Sequence, residues 1–288
     1  MCGIGGIYQK NNYKLNLQYF LKKMNNTQFH RGPDASDVWT SKDNIVGLCH
    51  TRLSIIDLRE NSNQPMQSDN ERFSIVFNGE IYNYLELKKE LTGIGFKFST
   101  TSDTEVILQG YKFWGEGVLN KIRGMFSFAI YDNLKKELFC ARDHIGKKPF
   151  IYTETNQGFI FASEIPALLK IPFVDKSLNR DSIASIFIHN FRHVPDPYTA
   201  YQGIKRLRAG HAMLVRNGVV KKIWQYWRPK KTNNKISEKE LREVLEESIK
   251  LRMRSDVPLG AMLSGGIDSS AIVSIMCKYS SEPINTYS

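Results

Sequence analysis

Long apolar runs are missing from this chain of 288 residues. No stretch of about eighteen apolar residues occurs, and the opening MCGIGGIYQKNN lacks the basic-then-apolar layout of a secretory signal. Neither membrane spanning nor export is expected, and a cytoplasmic protein is. Cysteine is scarce and scattered. Cys2, Cys49, Cys140 and Cys277 lie far apart with no CxxC pair, a pattern that fits neither a disulfide framework nor a zinc site. Any special cysteine must act alone, and no metal-ligating set is expected.

Repeats and low-complexity stretches are also absent. What remains, 41% hydrophobic and 24% charged, is the composition of a globular chain with room for more than one core, which excludes disorder. Forty basic against twenty-nine acidic side chains leave a charge of +11, which attracts anions. The basic residues are scattered along helices such as LELKKEL and through 205–231, without the aromatic code of an RNA-binding module. They read as solvated surface with a minor share serving a phosphate-bearing ligand, and a nucleic-acid partner is not expected.

Strand-length segments rich in aromatic and β-branched residues occur at 73–77 (FSIVF), 125–131 (MFSFAIY), 137–141 (ELFCA) and 158–162 (GFIFA). Residues 84–91 and 104–114 carry apolar side chains at helical spacing. Sheets covered by helices are the consequence. Beyond Val219 an aromatic segment (IWQYW) leads into the polar run KKTNNK, and a linker is placed over 214–236. Ser237 and Glu240 then form a capping box in front of the apolar stripe Leu241, Val244, Leu245 and Ile249. A strand-length apolar run at 257–263 (VPLGAML), a small-residue turn and helical character over 270–279 make the opening βα unit of a parallel sheet. The chain stops at Ser288 where the next strand begins, so the second domain is expected to be incomplete.

Cys2 directly follows the initiator, and methionine before a small residue is normally trimmed. The thiol would then carry a free α-amine beside it. With reference pKa values of about 8.5 for the thiol and 7.7 to 8.0 for the amine, moving a proton between them costs roughly 1 kcal/mol. One residue can supply nucleophile and base. A buried small hydrophobe near an accidental terminus is the bland alternative.

MCGIGGI, HRGPD (30–34), HTRLSIID (50–57), NGEIYN (78–83), SDTEVIL (102–108) and RDHIGKKPFIY (142–152) resemble, in order and spacing, the class II glutamine amidotransferase domain. Together with the segment beyond Ser237, the whole chain resembles the glutamine-hydrolysing asparagine synthetases. That resemblance implies an α+β, N-terminal-nucleophile hydrolase fold: layered αββα with stacked antiparallel sheets over 1–213, plus the first βα unit of an α/β PP-loop synthetase domain over 237–288.

Chemistry supports the same residues. Glutamine presents a carboxylate, an ammonium and an amide. Arg52 has the planar fork that grips a carboxylate, and Asp103 offers a countercharge for the ammonium. Asn78 and Gly79 offer a side-chain NH2 and an unobstructed backbone N–H for the oxygen that becomes negative on attack, an oxyanion hole. The resemblance assigns these roles to Cys2, Arg52, Asn78, Gly79 and Asp103, and extends the glutamine contacts to Leu53, Ser54, Ile55, Ile56 and Glu80. Each has a structural alternative: NG as a hairpin turn, Arg52 paired with Asp57, Asp103 as a helix cap. His30 and His50 read as structural, because the cysteine amine already supplies the base. Glu164 receives no role.

Ser264 to Ser270 reads SGGIDSS between an apolar strand and a helix, where backbone N–H groups and the helix dipole favour an anion. It has no GK[ST], so it is no Walker loop. It resembles the PP-loop of ATP pyrophosphatases, which implies ATP at Leu263, Ser264, Gly265, Gly266, Asp268, Ser269 and Ser270, with Asp268 helping to hold Mg2+. A mere turn is the alternative.

The expected activity is hydrolysis of glutamine to glutamate and ammonia through a thioester on Cys2, with no cofactor. In the family that ammonia amidates aspartate through β-aspartyl-AMP. This chain is expected to be a fragment able at most to hydrolyse glutamine. Three readings stay open: a related synthetase with another carboxylate acceptor, a non-catalytic remnant with a binding role, and a nucleic-acid binder. A homodimer is left open too.

Overall fold

The computed structural model describes residues 1–188, 194–231, 233 and 235–288. They divide into two compact units, one of residues 1–54 and 59–228, the other of residues 55–58 and 229–288. In the first unit each segment marked by aromatic and β-branched residues becomes a strand. The strands are β1 (Gly3–Gln9), β2 (Ala35–Thr40), β3 (Val46–Arg52), β4 (Met66–Gln67), β5 (Phe73–Ile81), β6 (Gly124–Asp132) and β7 (Glu137–Arg142). They continue with β8 (Ile151–Glu154), β9 (Gly158–Ala162), β10 (Ile204–Arg206), β11 (His211–Arg216) and β12 (Val219–Gln225). The helices are α1 (Leu17–Gln28), α2 (Tyr84–Gly93), α3 (Asp103–Trp114), α4 (Ile165–Leu169) and α5 (Arg180–Ile188).

Two six-stranded sheets result, one in the order β10-β8-β9-β1-β3-β2 and the other β12-β11-β7-β6-β5-β4. Every pairing within them is antiparallel. Their facing sides share one core: Ile4 and Tyr8 of β1 and Val46 and Leu48 of β3 cluster with Val76, Ala129, Tyr131, Leu138 and Cys140. The outer face of the first sheet buries Ile7, Cys49 and Ile160 against Leu17, Leu21 and Met24 of α1 and Ala167 and Leu168 of α4. Leu17, Leu21 and Met24 recur at helical spacing, and Asn16 caps the helix by accepting the Tyr19 N–H at 3.1 Å. On the outer face of the second sheet, Tyr111 of α3 stacks on Phe139 at 5.1 Å. The layers are helix, sheet, sheet, helix.

The linker expected over 214–236 is, in its first part, sheet. Residues 214–216 and 219–225 pair as β11 and β12 around Asn217 and Gly218, both at positive φ. Asn-Gly fits a tight hairpin, and this one closes the edge of the second sheet. Thr232 and Asn234 of the expected linker lie outside the described residues.

In the second unit α6 (Glu238–Arg252) opens on the expected capping box, with Ser237 Oγ accepting the Glu240 N–H and Glu240 accepting the Ser237 N–H. The strand expected over 257–263 is shorter, β13 (Gly260–Met262). Pro258 has no N–H to give a ladder. It pairs in parallel with β14 (Asn285–Tyr287), and α7 (Ile267–Tyr279) lies between them in sequence. Lys278 and Tyr279 of α7 both bond Glu246 of α6. Of the α6 stripe only Ile249 is buried; Leu241, Val244 and Leu245 are exposed. No helix among the described residues is long and apolar enough to cross a membrane.

Candidate functional site

Cys2 precedes β1, and its carbonyl accepts Arg31 Nε–H at 2.9 Å. Its half-buried sulfur meets the end of β3: the Leu53 N–H donates to Sγ at 3.4 Å, and the thiol faces the Leu53 carbonyl at 3.6 Å. Burial pushes the thiol pKa up, while the Leu53 bond, the nearby terminal amine and Arg52 draw it down and Asp103 raises it. The free amine here is that of Met1, lowered by burial and by Arg31 and Lys148.

Arg52 ends β3, buried, with Nη1 donating to the Arg59 carbonyl at 2.9 Å and to Asn63 Oδ1 at 2.7 Å. Ser54 N–H donates to Asp34 at 2.8 Å, which fixes the chain as it leaves the strand. Ile55 and Ile56 group with the second unit, where the Ile55 carbonyl accepts the Asp256 N–H at 3.0 Å. The structure therefore does not gather all of 52–56 into one compact body.

Asn78, Gly79 and Glu80 lie inside β5, so the NG pair is strand and not a turn. Successive N–H groups of a strand alternate in direction. The Phe77 N–H reaches Gln64 Oε1 at 2.6 Å and the Ile81 N–H reaches Asp103 Oδ2 at 2.9 Å, which directs the Gly79 N–H to that same edge, between them. A Cβ on Gly79 would stand 2.2 Å from the Met125 carbonyl, so only glycine fits. Asn78 is 1% exposed, and among the described residues neither its Nδ2 nor its Oδ1 has a hydrogen-bond partner. An unpartnered buried amide costs about 1–3 kcal/mol, so this one is poised to receive something.

Asp103 opens α3, but Ser102 is the cap, accepting the Thr104 N–H at 3.1 Å. Burial pushes the Asp103 carboxyl up to about 7, helped by Glu80 and opposed by the Ile81 N–H. Glu80 is raised by burial and lowered by Lys148.

The histidines have structural partners: His50 is buried with Nε2 3.1 Å from the Phe77 carbonyl, and His30 faces Glu164 at 3.1 Å. Glu164 also takes Arg31 Nη1–H at 2.8 Å, so it braces the arginine that holds the Cys2 carbonyl. Sequence patterns alone miss Arg31, Ser127 and Lys148. Arg31 is visible within HRGPD. Ser127 shares the inward parity of Ala129 and Tyr131, so a two-residue period marks it as a hydroxyl in the core.

In the second unit, Gly265 has φ +78° with open space around it, and Ser264 Oγ lies 3.2 Å from Ser269 Oγ. Gly266 heads α7 without a side-chain cap, which leaves the first N–H groups of the helix available. These groups fit a phosphate. The Leu263 N–H is engaged by the Tyr287 carbonyl at 2.7 Å. Asp268 is in the first turn of α7. Among the described residues no cluster of three or more His, Cys, Asp or Glu side chains forms a metal site.

Residues 1–227 match the family described as glutamine amidotransferase domain. The chain belongs to that family. Residues 240–288 match a second family, asparagine synthase. Asparagine synthetase [glutamine-hydrolyzing] 1 of Bacillus subtilis is 38% identical over 281 residues, covering 96% of this chain and 44% of that protein. Amidase chry2 of Gibberella zeae is 34% identical over 256 residues, 86% of this chain and 37% of its own. This amidotransferase chain thus spans less than half the length of either relative. A solved glutamine phosphoribosylpyrophosphate amidotransferase of B. subtilis superposes with a TM-score of 0.57 at 15% identity, covering 99% of this chain and 65% of that one. At that identity the likeness speaks for the fold, the α+β N-terminal-nucleophile hydrolase fold.

Proposed function

We propose that this chain hydrolyses glutamine to glutamate and ammonia. Once Met1 is removed, Cys2 carries its own amine. The amine takes the thiol proton, and the thiolate attacks the side-chain amide carbon. Negative charge builds on the amide oxygen between the Asn78 side chain and the Gly79 N–H. The C–N bond breaks as the amine returns the proton to the departing nitrogen, leaving a γ-glutamyl thioester. Water, deprotonated by the same amine, then cleaves the thioester and frees the thiol. Arg52 holds the substrate carboxylate, Asp103 and Glu80 hold its ammonium, and the main chain of Leu53 and Ser54 lines its path.

The buried amide of Asn78, unpartnered among the described residues, carries this reading: it stands next to the Gly79 N–H, where a substrate oxygen would satisfy it. The testing experiment measures glutamate release by the Met1-free protein beside Cys2→Ser and a Met1-bearing form. Activity confined to the free Cys2 terminus supports the mechanism, and equal activity in all three overturns it.

For the longer protein of which relatives are examples, we infer amidation of aspartate, with ATP and Mg2+ at residues 263–270. ATP supplies the adenylyl group that activates the acceptor carboxylate, and Ser264, Gly265, Gly266, Ser269 and Ser270 would hold its phosphates with Asp268 toward the metal. Another carboxylate acceptor is the second reading, favoured by the relative named amidase chry2. A cytoplasmic setting suits soluble amino-acid substrates, and a homodimer rests on the resemblance alone.

A further inference from the structure

One buried cation at the Cys2 site falls outside these roles. Lys148 is 6% exposed, in the loop that follows β7. Its main chain is placed by Asp143, whose Oδ2 accepts both the Lys148 N–H at 2.9 Å and the Phe126 N–H at 3.2 Å. Phe126 is the register partner of Gly79 on β5. The Lys148 carbonyl is held in turn by Arg142 Nε–H at 2.8 Å. The fold therefore ties this lysine to the strand position opposite the glycine of the proposed oxyanion hole.

Among the described residues no hydrogen bond or ion pair closes on its Nζ. Its electrostatic neighbours are Glu80, Cys2, Arg31 and Asp143. Burial lowers its pKa, and Glu80 and the Cys2 sulfur raise it. A largely covered lysine whose ammonium has no contact partner among the described residues gains most where negative charge develops beside it. The groups facing the sulfur are the terminal amine, Arg52 from β3, Asp103 from α3 and Lys148 from this loop. Arg31 and Asp34 face the amine. Among the described residues, Lys148 is the one cationic side chain in this set that neither binds a main-chain carbonyl nor belongs to the proposed carboxylate clamp.

We propose that Lys148 is a positioning residue of the Cys2 site: its ammonium, anchored through Asp143 opposite Gly79, holds the thiolate of Cys2 and the carboxylate of Glu80 in their charged forms before substrate arrives. This rests in part on the glutaminase reading, since the thiolate matters only if Cys2 is the nucleophile.

The test is the pH dependence of Cys2 alkylation by iodoacetamide in the Met1-free chain carrying Cys277→Ser, which removes the other accessible thiol. In Lys148→Met the midpoint of the rate profile is expected to rise by about one pH unit, the effect of one charge acting through a partly screened interior. Lys148→Arg should restore it. Glutamine turnover near pH 7 should fall about tenfold in kcat, and KM should rise with it, because Glu80 holds the substrate ammonium. Lys148→Gln gives the same readout if the methionine variant does not fold. An unshifted midpoint in a folded, charge-less variant overturns the proposal. A shifted midpoint in a protein that does not hydrolyse glutamine sustains the role of Lys148 at the thiol and overturns the glutaminase reading instead.

Discussion

Asn78 of β5 and Ser127 of β6 stand directly opposite one another in the register, and the side-chain polar atoms of both are buried without a hydrogen-bond partner among the described residues. Both point between the sheets, on the face that carries Val76, Ala129 and Tyr131 into the shared core. Three unpaired polar atoms at one spot are a standing cost to the fold, and the two residues separate under mutation. Asn78→Ala removes the proposed oxyanion donor. It is expected to lower kcat for glutamine by about 10²–10³ while the rate of Cys2 alkylation stays at the parent value. Loss of both in parallel would mean that the site had simply collapsed.

Ser127→Ala takes away a hydroxyl that bonds nothing among the described residues. Thermal unfolding should show stability unchanged or higher by up to about 1 kcal/mol, because deleting an unsatisfied buried group relieves its desolvation penalty. A large drop in Tm would show that the hydroxyl has a bound partner.

Asp103 sets a pH dependence. Its folded pKa of about 7 lies above the ordinary carboxylate value of 3.8, with burial the main cause. Between those two values the unfolded chain has lost the proton that the folded chain keeps, so stability falls as pH rises through this window. Asp103→Asn has no such proton. The difference in Tm between the variant and the parent should move in the variant's favour from pH 4 to pH 7. Glutamine affinity runs in the opposite sense, with KM of the parent rising as pH drops below about 7 and the countercharge is neutralised.

Gly79→Ala should be severely destabilising. A β-carbon there lies 2.2 Å from the Met125 carbonyl and 2.8 Å from the Phe126 Cα, both main-chain atoms that cannot swing aside. The expected loss is about 3 kcal/mol or more, read from denaturant unfolding, and a cost under 1 kcal/mol would mean that β5 and β6 separate easily.

Thiol labelling distinguishes the four cysteines. Cys49 and Cys140 are fully buried and their thiols pushed up, whereas Cys2 is half-buried and Cys277 exposed. Mass spectrometry after native alkylation should find adducts on Cys2 and Cys277 alone, and on all four in denaturant.

The sheets and helices of the first unit were legible because period-two and period-3.6 patterns act locally. FSIVF and ELFCA became β5 and β7, and 104–114 became α3. The β11–β12 hairpin was hidden because VVKKIWQ is half exposed on an edge strand and so carries no clean alternation. Asn78 and Asp103 were readable from their chemistry, and their settings were not: that the amide stays unpartnered and the carboxyl is lifted by burial depends on strands distant in sequence. Lys148 shows the limit most sharply. In GKKP two adjacent lysines look alike, and only the anchoring of the loop turns one of them inward.

That anchoring belongs to Asp143, whose carboxylate gathers four main-chain donors, from Phe126, Ile145, Lys147 and Lys148. On the proposed role of Lys148, the cation beside the sulfur is therefore carried by a loop that this carboxylate pins to β6. An aspartate that touches nothing reactive becomes the keystone of the reactive groups' alignment, and drift at this position would register as lost turnover long before any contact with substrate had changed.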